Sequence, residues 1–109
     1  MKQDYATSEM YWRWATLQYP EQAAYFSNLA AALQYQDKFE QALVPLKEAI
    51  HLQPNNVSYQ VRWMQVLERL GYRDEAMDAA QSVLALDPNN QAAKKILDQQ
   101  DTNKALLPN

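Results

Sequence analysis

Leu52-Gln53-Pro54-Asn55-Asn56 and Leu86-Asp87-Pro88-Asn89-Asn90 are nearly the same five residues, and their prolines stand 34 positions apart. Pro20, in Gln18-Tyr19-Pro20-Glu21-Gln22, lies 34 positions before Pro54. One spacing used twice marks an internal repeat. A period of this length is a single supersecondary unit that buries its apolar face only by stacking on its neighbours. The two segments with asparagines also read as boundaries: the proline stops one helix, and an asparagine offers its side-chain oxygen to the free N–H groups of the next.

Between these boundaries the apolar residues follow helical spacing. Phe26, Leu29, Ala30 and Leu33 form one stripe, and Phe39, Ala42, Leu43, Leu46, Ala49 and Ile50 the next. Trp63, Val66, Leu67 and Leu70 follow, then Ala76, Met77, Ala80, Val83 and Leu84, and a short last stripe of Ala93, Ile96 and Leu97. Residues recurring at i, i+3, i+4 and i+7 occupy one face of a helix. Six helices are therefore expected, over residues 4–18, 21–35, 38–52, 56–70, 73–86 and 90–101, with the tail after Asp101 frayed. The connections are short enough to require antiparallel neighbours. Asp37 followed by Glu40 predicts a capping box, Asn55-Asn56 and Asn89-Asn90 predict N-caps, and Gly71 suits a left-handed residue closing a helix. Pro45, well inside its stripe, predicts a kink or a break.

Composition agrees with an all-α chain. There is one glycine in 109 residues, and the apolar share of 48% is rich in alanine, which holds the mean hydropathy at −0.59. A net charge of −3 and a pI near 5.0 argue against nucleic acid as a partner. No segment approaches the ~20 apolar residues of a spanning helix, so no membrane insertion is expected. The absence of cysteine removes disulfides and thiolate metal sites. A cytoplasmic location is the default.

The boundaries and stripes together resemble the tetratricopeptide repeat, a helix–turn–helix family of the same period. The resemblance covers residues 4–101 and implies a right-handed superhelical stack of antiparallel helix pairs. It divides the chain into a half repeat (1–22, a single helix), full repeats at 23–56 and 57–90, and a closing helix with its tail (91–109). In the first full repeat Phe26, Leu29, Ala30, Leu33, Ala42, Leu46, Ala49 and Pro54 match the family pattern. The second departs at Gln60, Trp63, Met64 and Ala80. Where the family wants a small residue stands Met64, and where it wants a bulky one stands Ala80. An exchange of size between the two would keep the packing density normal.

The resemblance implies that the first helix of each repeat lines a concave, peptide-holding groove. Its positions fall on Ser27, Gln34 and Tyr35, then Gln65 and Arg69 with Arg62 adjacent, then Lys95 and Gln99. Ala24, Ala31, Ser58, Val61, Glu68 and Ala92 lie among them. The glutamines can donate and accept toward a peptide backbone, and the cations can meet an acidic group. A well-known version of this groove clamps a C-terminal carboxylate with Lys, Asn, Asn, Lys and Arg; the corresponding residues here are Ser27, Ala31, Arg62, Ala92 and Ile96, so that clamp is not expected.

The aromatic cluster Tyr5, Tyr11, Trp12, Trp14 and Tyr19 supports a second reading, self-association or partner binding through the N-terminal helix. Trp12 sits where the first helix of a complete upstream repeat would dock. His51 falls in a last helical turn, where a cation is favoured, and has no converging partners. No phosphate loop, nucleophile–base pair or cofactor motif is found. The expected function is that of a protein-binding adaptor, scaffold or chaperone-like module, not an enzyme, with no cofactor.

Overall fold

The computed structural model describes residues 4–106, with side chains up to Gln99. Among the described residues there are six helices and no strand: α1 (Tyr5–Gln18), α2 (Ala23–Gln34), α3 (Phe39–Leu52), α4 (Val57–Leu70), α5 (Arg73–Leu86) and α6 (Gln91–Leu106). Successive helices pack on one another from α1 to α6, and α4 also touches α6. The body measures 52 × 29 × 23 Å, the proportions of a short stack.

The proline–asparagine boundaries act as their chemistry requires. Asn56 Oδ1 accepts from the Tyr59 N–H at 3.2 Å and Asn90 Oδ1 from the Ala93 N–H at 3.0 Å. In both turns the asparagine amide donates three residues back, to Gln53 at 3.2 Å and to Asp87 at 3.1 Å, which fixes the capping rotamer. Asn55 and Asn89 are the turn residues and not the caps. Asp4 caps α1 by accepting from the Thr7 N–H at 3.0 Å. The bonds from Thr7 hold its carboxyl below the usual carboxylate range.

Two features of the hairpins differ from expectation. The capping box at Asp37 and Glu40 does not form. Asp37 takes φ 60 and closes α2, and the cap of α3 is Lys38, without a side-chain bond. The Lys38 N–H reaches the Leu33 carbonyl at 2.9 Å and the Asp37 N–H reaches that of Gln34 at 2.9 Å. These two bonds define a Schellman motif with Asp37 as its left-handed residue. The same pair recurs one repeat later, from Tyr72 to Leu67 and from Gly71 to Glu68, both at 3.0 Å, with Gly71 at φ 82. Glu40 instead accepts from the Tyr72 hydroxyl at 2.8 Å, and that bond and the carboxylate's charge push the Tyr72 phenol up.

A test follows from this symmetry. Nothing lies within 4 Å of a Cβ built on Gly71, so Gly71→Ala meets only backbone strain. It is expected to cost about 1 kcal/mol, while Asp37→Gly raises stability by about 0.5 kcal/mol. Urea unfolding of the two variants checks the pair, and a stabilising Gly71→Ala would reject the argument.

Pro45 neither breaks nor ends its helix, for α3 runs unbroken through it. The carbonyl it leaves unfilled belongs to Gln41, an exposed residue that water can serve, while Pro45 itself is buried. At the other end α6 continues past Asp101 to Leu106 instead of fraying. Nothing between those residues is a glycine or proline that would stop it. Leu107–Asn109 lie outside the described residues.

Two apolar clusters fill the stack. One joins Leu29, Ala30, Leu33, Ala42, Leu46 and Val66, with Trp12, Phe39 and Trp63 against its edge. The other joins Met64, Leu67, Ala76, Ala79, Ala80, Val83, Ala93 and Ile96. Val66 gives the first cluster a residue from α4, and Leu43 and Trp63 pack against both. One core therefore runs the length of the chain.

Candidate peptide-binding groove

Two layers of helices can be read from the side chains. Arg13 and Thr16 of α1 share a cleft of about 500 Å³ with Gln41, Val44, Pro45 and Glu48 of α3, with Phe26 and Leu29 of α2 between them. One repeat later, the equivalent residues of α3, α4 and α5 line a cleft of about 440 Å³. Thus α1, α3 and α5 form an outer layer. Opposite them, Arg62 Nη1 of α4 donates to Gln34 Oε1 of α2 at 3.0 Å, and α4 touches α6, so α2, α4 and α6 form the inner one.

The expected groove residues distribute over this inner layer unevenly. Gln65, Arg69, Lys95 and Gln99 are exposed on α4 and α6, and Gln34 and Arg62 are half-buried where α2 meets α4. Arg69 also lies over the Phe39 ring, its guanidinium carbon 5.1 Å from the centroid, which fixes the side chain at the end of α4. The ion pairs among the described residues both involve Glu9, which leaves Arg62 and Arg69 without a carboxylate partner there. Ser27 departs from expectation: it is 8% exposed and presents nothing to an open wall. It stands two helical turns before Gln34, so it shares the edge that α2 turns toward α4.

Tyr35 is 63% exposed and stacks on Tyr5 of α1, ring centroids 4.6 Å apart. These two, with Ser8, Trp12, Asn28, Ala31 and Ala32, line a cleft of about 190 Å³ between α1 and α2. Ser8 and Asn28 were not among the expected site residues. The repeat pattern gives neither a groove position: Ser8 lies on the single helix of the half repeat, and Asn28 falls between the groove positions of α2. Trp12 is half-buried, tilted against Tyr25 at 5.6 Å and packed on the core, so it is not the uncovered residue the sequence suggested. Within the N-terminal cluster Tyr11, Trp14 and Tyr19, at 57%, 52% and 48% exposure, are the uncovered aromatics.

Glu9 ties α1 to the turn between α2 and α3. Its carboxylate accepts from Gln36 Nε2 at 3.0 Å, Lys38 Nζ at 3.2 Å and Arg13 Nε at 3.0 Å. Burial raises the Glu9 carboxyl's pKa, but these bonds and the Lys38 charge outweigh it and hold the group below its ordinary value. Among the described residues no group of three His, Cys, Asp or Glu could hold a metal ion, and no helix is long and apolar enough to cross a membrane. The residues corresponding to the carboxylate clamp are Ser27, Ala31, Arg62, Ala92 and Ile96. Of these only Arg62 is charged, and Ile96 is 5% exposed.

No family model matches the chain. It is 35% identical over 79 residues to a STIP1 homolog of Dictyostelium discoideum, a match covering 72% of this chain and 14% of that protein. The TPR2B domain of yeast Sti1, solved in a complex with pHsp70, superposes with a TM-score of 0.74 at 25% identity, over 88% of this chain and 78% of that one. The first TPR of Spaghetti (RPAP3), bound to the HSP90 peptide SRMEEVD, superposes with a TM-score of 0.84 at 23% identity, over 93% and 80% of the two chains.

Proposed function

This chain belongs to the tetratricopeptide-repeat family, and from that premise we propose that it is an adaptor or chaperone-like module that holds a peptide segment of a partner protein. The segment would lie across the inner layer, on Tyr35, Arg62, Gln65, Arg69, Lys95 and Gln99. The observation that carries this reading is the pair Arg62 and Arg69, two guanidiniums with no carboxylate partner among the described residues. Arg62 is oriented by Gln34 and Arg69 by Phe39. Oriented guanidiniums beside free glutamine amides suit an acidic side chain and an extended peptide backbone. The complexes of the yeast Sti1 domain with pHsp70 and of the Spaghetti domain with an HSP90 peptide support the same use of the fold. The Ser27, Ala31, Ala92 and Ile96 positions argue for a grip on internal acidic residues and not on a terminal carboxylate.

Gln65→Ala with Arg69→Ala tests the wall. One charged and one neutral hydrogen bond lost should weaken capture of a partner at least about tenfold. Helicity should not change, because both residues are exposed. Capture equal to that of the intact chain, in an affinity pull-down followed by titration of the recovered partner, would place the site elsewhere.

A further inference from the structure

Every residue around the cleft between α1 and α2 has a counterpart 34 positions later, between α3 and α4. Tyr5, Ser8, Trp12 and Ala32 become Phe39, Ala42, Leu46 and Val66. Tyr35 becomes Arg69, and the pairing across the mouth is kept. Tyr35 stacks on Tyr5 with ring centroids 4.6 Å apart, and Arg69 lies 5.1 Å over the Phe39 ring. In the second site Ala42, Leu46 and Val66 are fully buried, in one cluster with Leu29, Ala30 and Leu33 of α2. The surface that α3 and α4 offer is thus filled by apolar side chains of the preceding helix.

In the first site nothing among the described residues takes that place, and the lining differs to match. Trp12 stands where Leu46 does, and its ring, tilted against Tyr25 at 5.6 Å, occupies part of the width a helix needs. About 190 Å³ remains. That is below the ~300 Å³ of the smaller ligand pockets and suits one side chain, not a helix. Three rings line it, so an aromatic occupant finds edges and faces to stack against. Asn28 is half-buried in the lining, and its side-chain amide makes no hydrogen bond among the described residues. The Ser8 hydroxyl donates to the Asp4 carbonyl at 3.3 Å and keeps its acceptor lone pairs. A phenol or indole edge can therefore meet a donor and an acceptor.

We propose that this cleft is a side-chain pocket that takes one aromatic residue of the peptide held on the inner layer. The pocket rests on the peptide-holding reading above and adds to it the kind of residue the partner must carry. Continuity with the groove fixes where the occupant comes from. Tyr35 belongs to both, and Ala31 of the cleft lies one helical turn before Gln34, which holds Arg62 at 3.0 Å. Neighbouring helices stand about 10 Å apart, and an extended peptide advances about 3.3 Å per residue. The aromatic residue should then lie about three positions from the acidic one that Arg62 meets.

Two titrations separate this pocket from the groove. N-acetyl-tyrosinamide carries no acid and needs only the pocket. Added to the 15N-labelled chain up to about 20 mM, it should shift the Trp12 indole and Asn28 side-chain amide signals, and N-acetyl-leucinamide should shift them about fivefold less. Gln65→Ala with Arg69→Ala should leave those shifts unchanged. Ser8→Leu, which fills the cleft from α1, should abolish them with helicity intact. The second probe is a fluorescein-labelled serine–glycine peptide with two adjacent glutamates and a tyrosine three positions away, made in both orders. In the better order, replacing the tyrosine by alanine should weaken binding about tenfold. Ser8→Leu should weaken the tyrosine peptide equally and leave the alanine peptide as it was. If N-acetyl-tyrosinamide shifts neither signal, if leucine equals tyrosine, or if the bound peptide gains helical signal, the pocket is overturned whatever the groove does. Shifts by the amide without binding of either peptide would overturn the peptide as the source of the occupant. If the tyrosine counts and changing both glutamates to glutamine does not, the pocket stands and the role given to Arg62 and Arg69 falls.

Discussion

Met64→Ala is expected to cost about 3 kcal/mol and Ala80→Leu about 2 kcal/mol, whereas the two together should cost about 1 kcal/mol or less. The two residues are fully buried in one cluster, one on α4 and one on α5. Their equivalents in the preceding repeat are Ala30 and Leu46, also fully buried and also in one cluster. The first pair is small then large, the second large then small, and both fill the space between the two helices of a hairpin. Truncating Met64 removes apolar contacts and leaves a void, since a close-packed core relaxes only partly. Enlarging Ala80 against an intact Met64 forces rotamers apart. The double variant rebuilds in the second hairpin the arrangement the first one uses, so the coupling energy should be about −4 kcal/mol. Urea unfolding of all four chains gives the cycle. Additive single effects would show that Met64 and Ala80 do not share volume.

That exchange was legible in the sequence because the repeat supplies a template against which a departure stands out. The same template placed the helix boundaries within a residue or two, apart from the end of α6. It failed where the answer depended on something the repeat does not encode. Asp37 and Glu40 have the right letters for a capping box. The repeat symmetry with Gly71 was the stronger signal, because a left-handed residue closing α2 leaves Asp37 no way to cap α3. Pro45 was read from local strain alone, whereas burial of its ring and the exposure of Gln41 decide that the helix continues. Ser27 was placed in the groove by position in the repeat, but at 8% exposure it is buried. Trp12 and Trp14 are two residues apart in a helix and so face different ways, a distinction that aromatic content alone conceals. Glu9 had no expected role at all. Its three donors come from Arg13 on its own helix and from Gln36 and Lys38 in a turn 27 and 29 residues away, a meeting that only the packing of α1 on α2 produces.

Glu9→Gln should lower stability at about pH 7 by about 1.5 kcal/mol, and that difference should shrink as the solution is acidified. The carboxylate is 15% exposed, so its bonds are little diluted by water, while Arg13 and Lys38, at 50% and 40%, contribute less through charge than through geometry. The sign follows from linkage. The folded-state pKa lies below the ordinary 4.5, so the unfolded chain takes up the proton first as pH falls. The stabilisation is fully present above pH 4.5 and disappears as pH drops through the folded-state value beneath it. Glutamine has no charge to lose, so the variant's urea midpoint should fall less steeply over the same acid range, and the two curves should converge. Asp4, exposed at the cap of α1, titrates in both chains and cancels in the difference. Since the clasp fastens α1 to the turn before α3, the first loss should be local. Emission from Trp12 and Trp14 should shift before the helical signal of α2 to α5 changes. Parallel acid limbs for the two chains would mean that Glu9 is no more stabilised in the folded protein than in the unfolded one, and that α1 is held by its aromatic contacts alone.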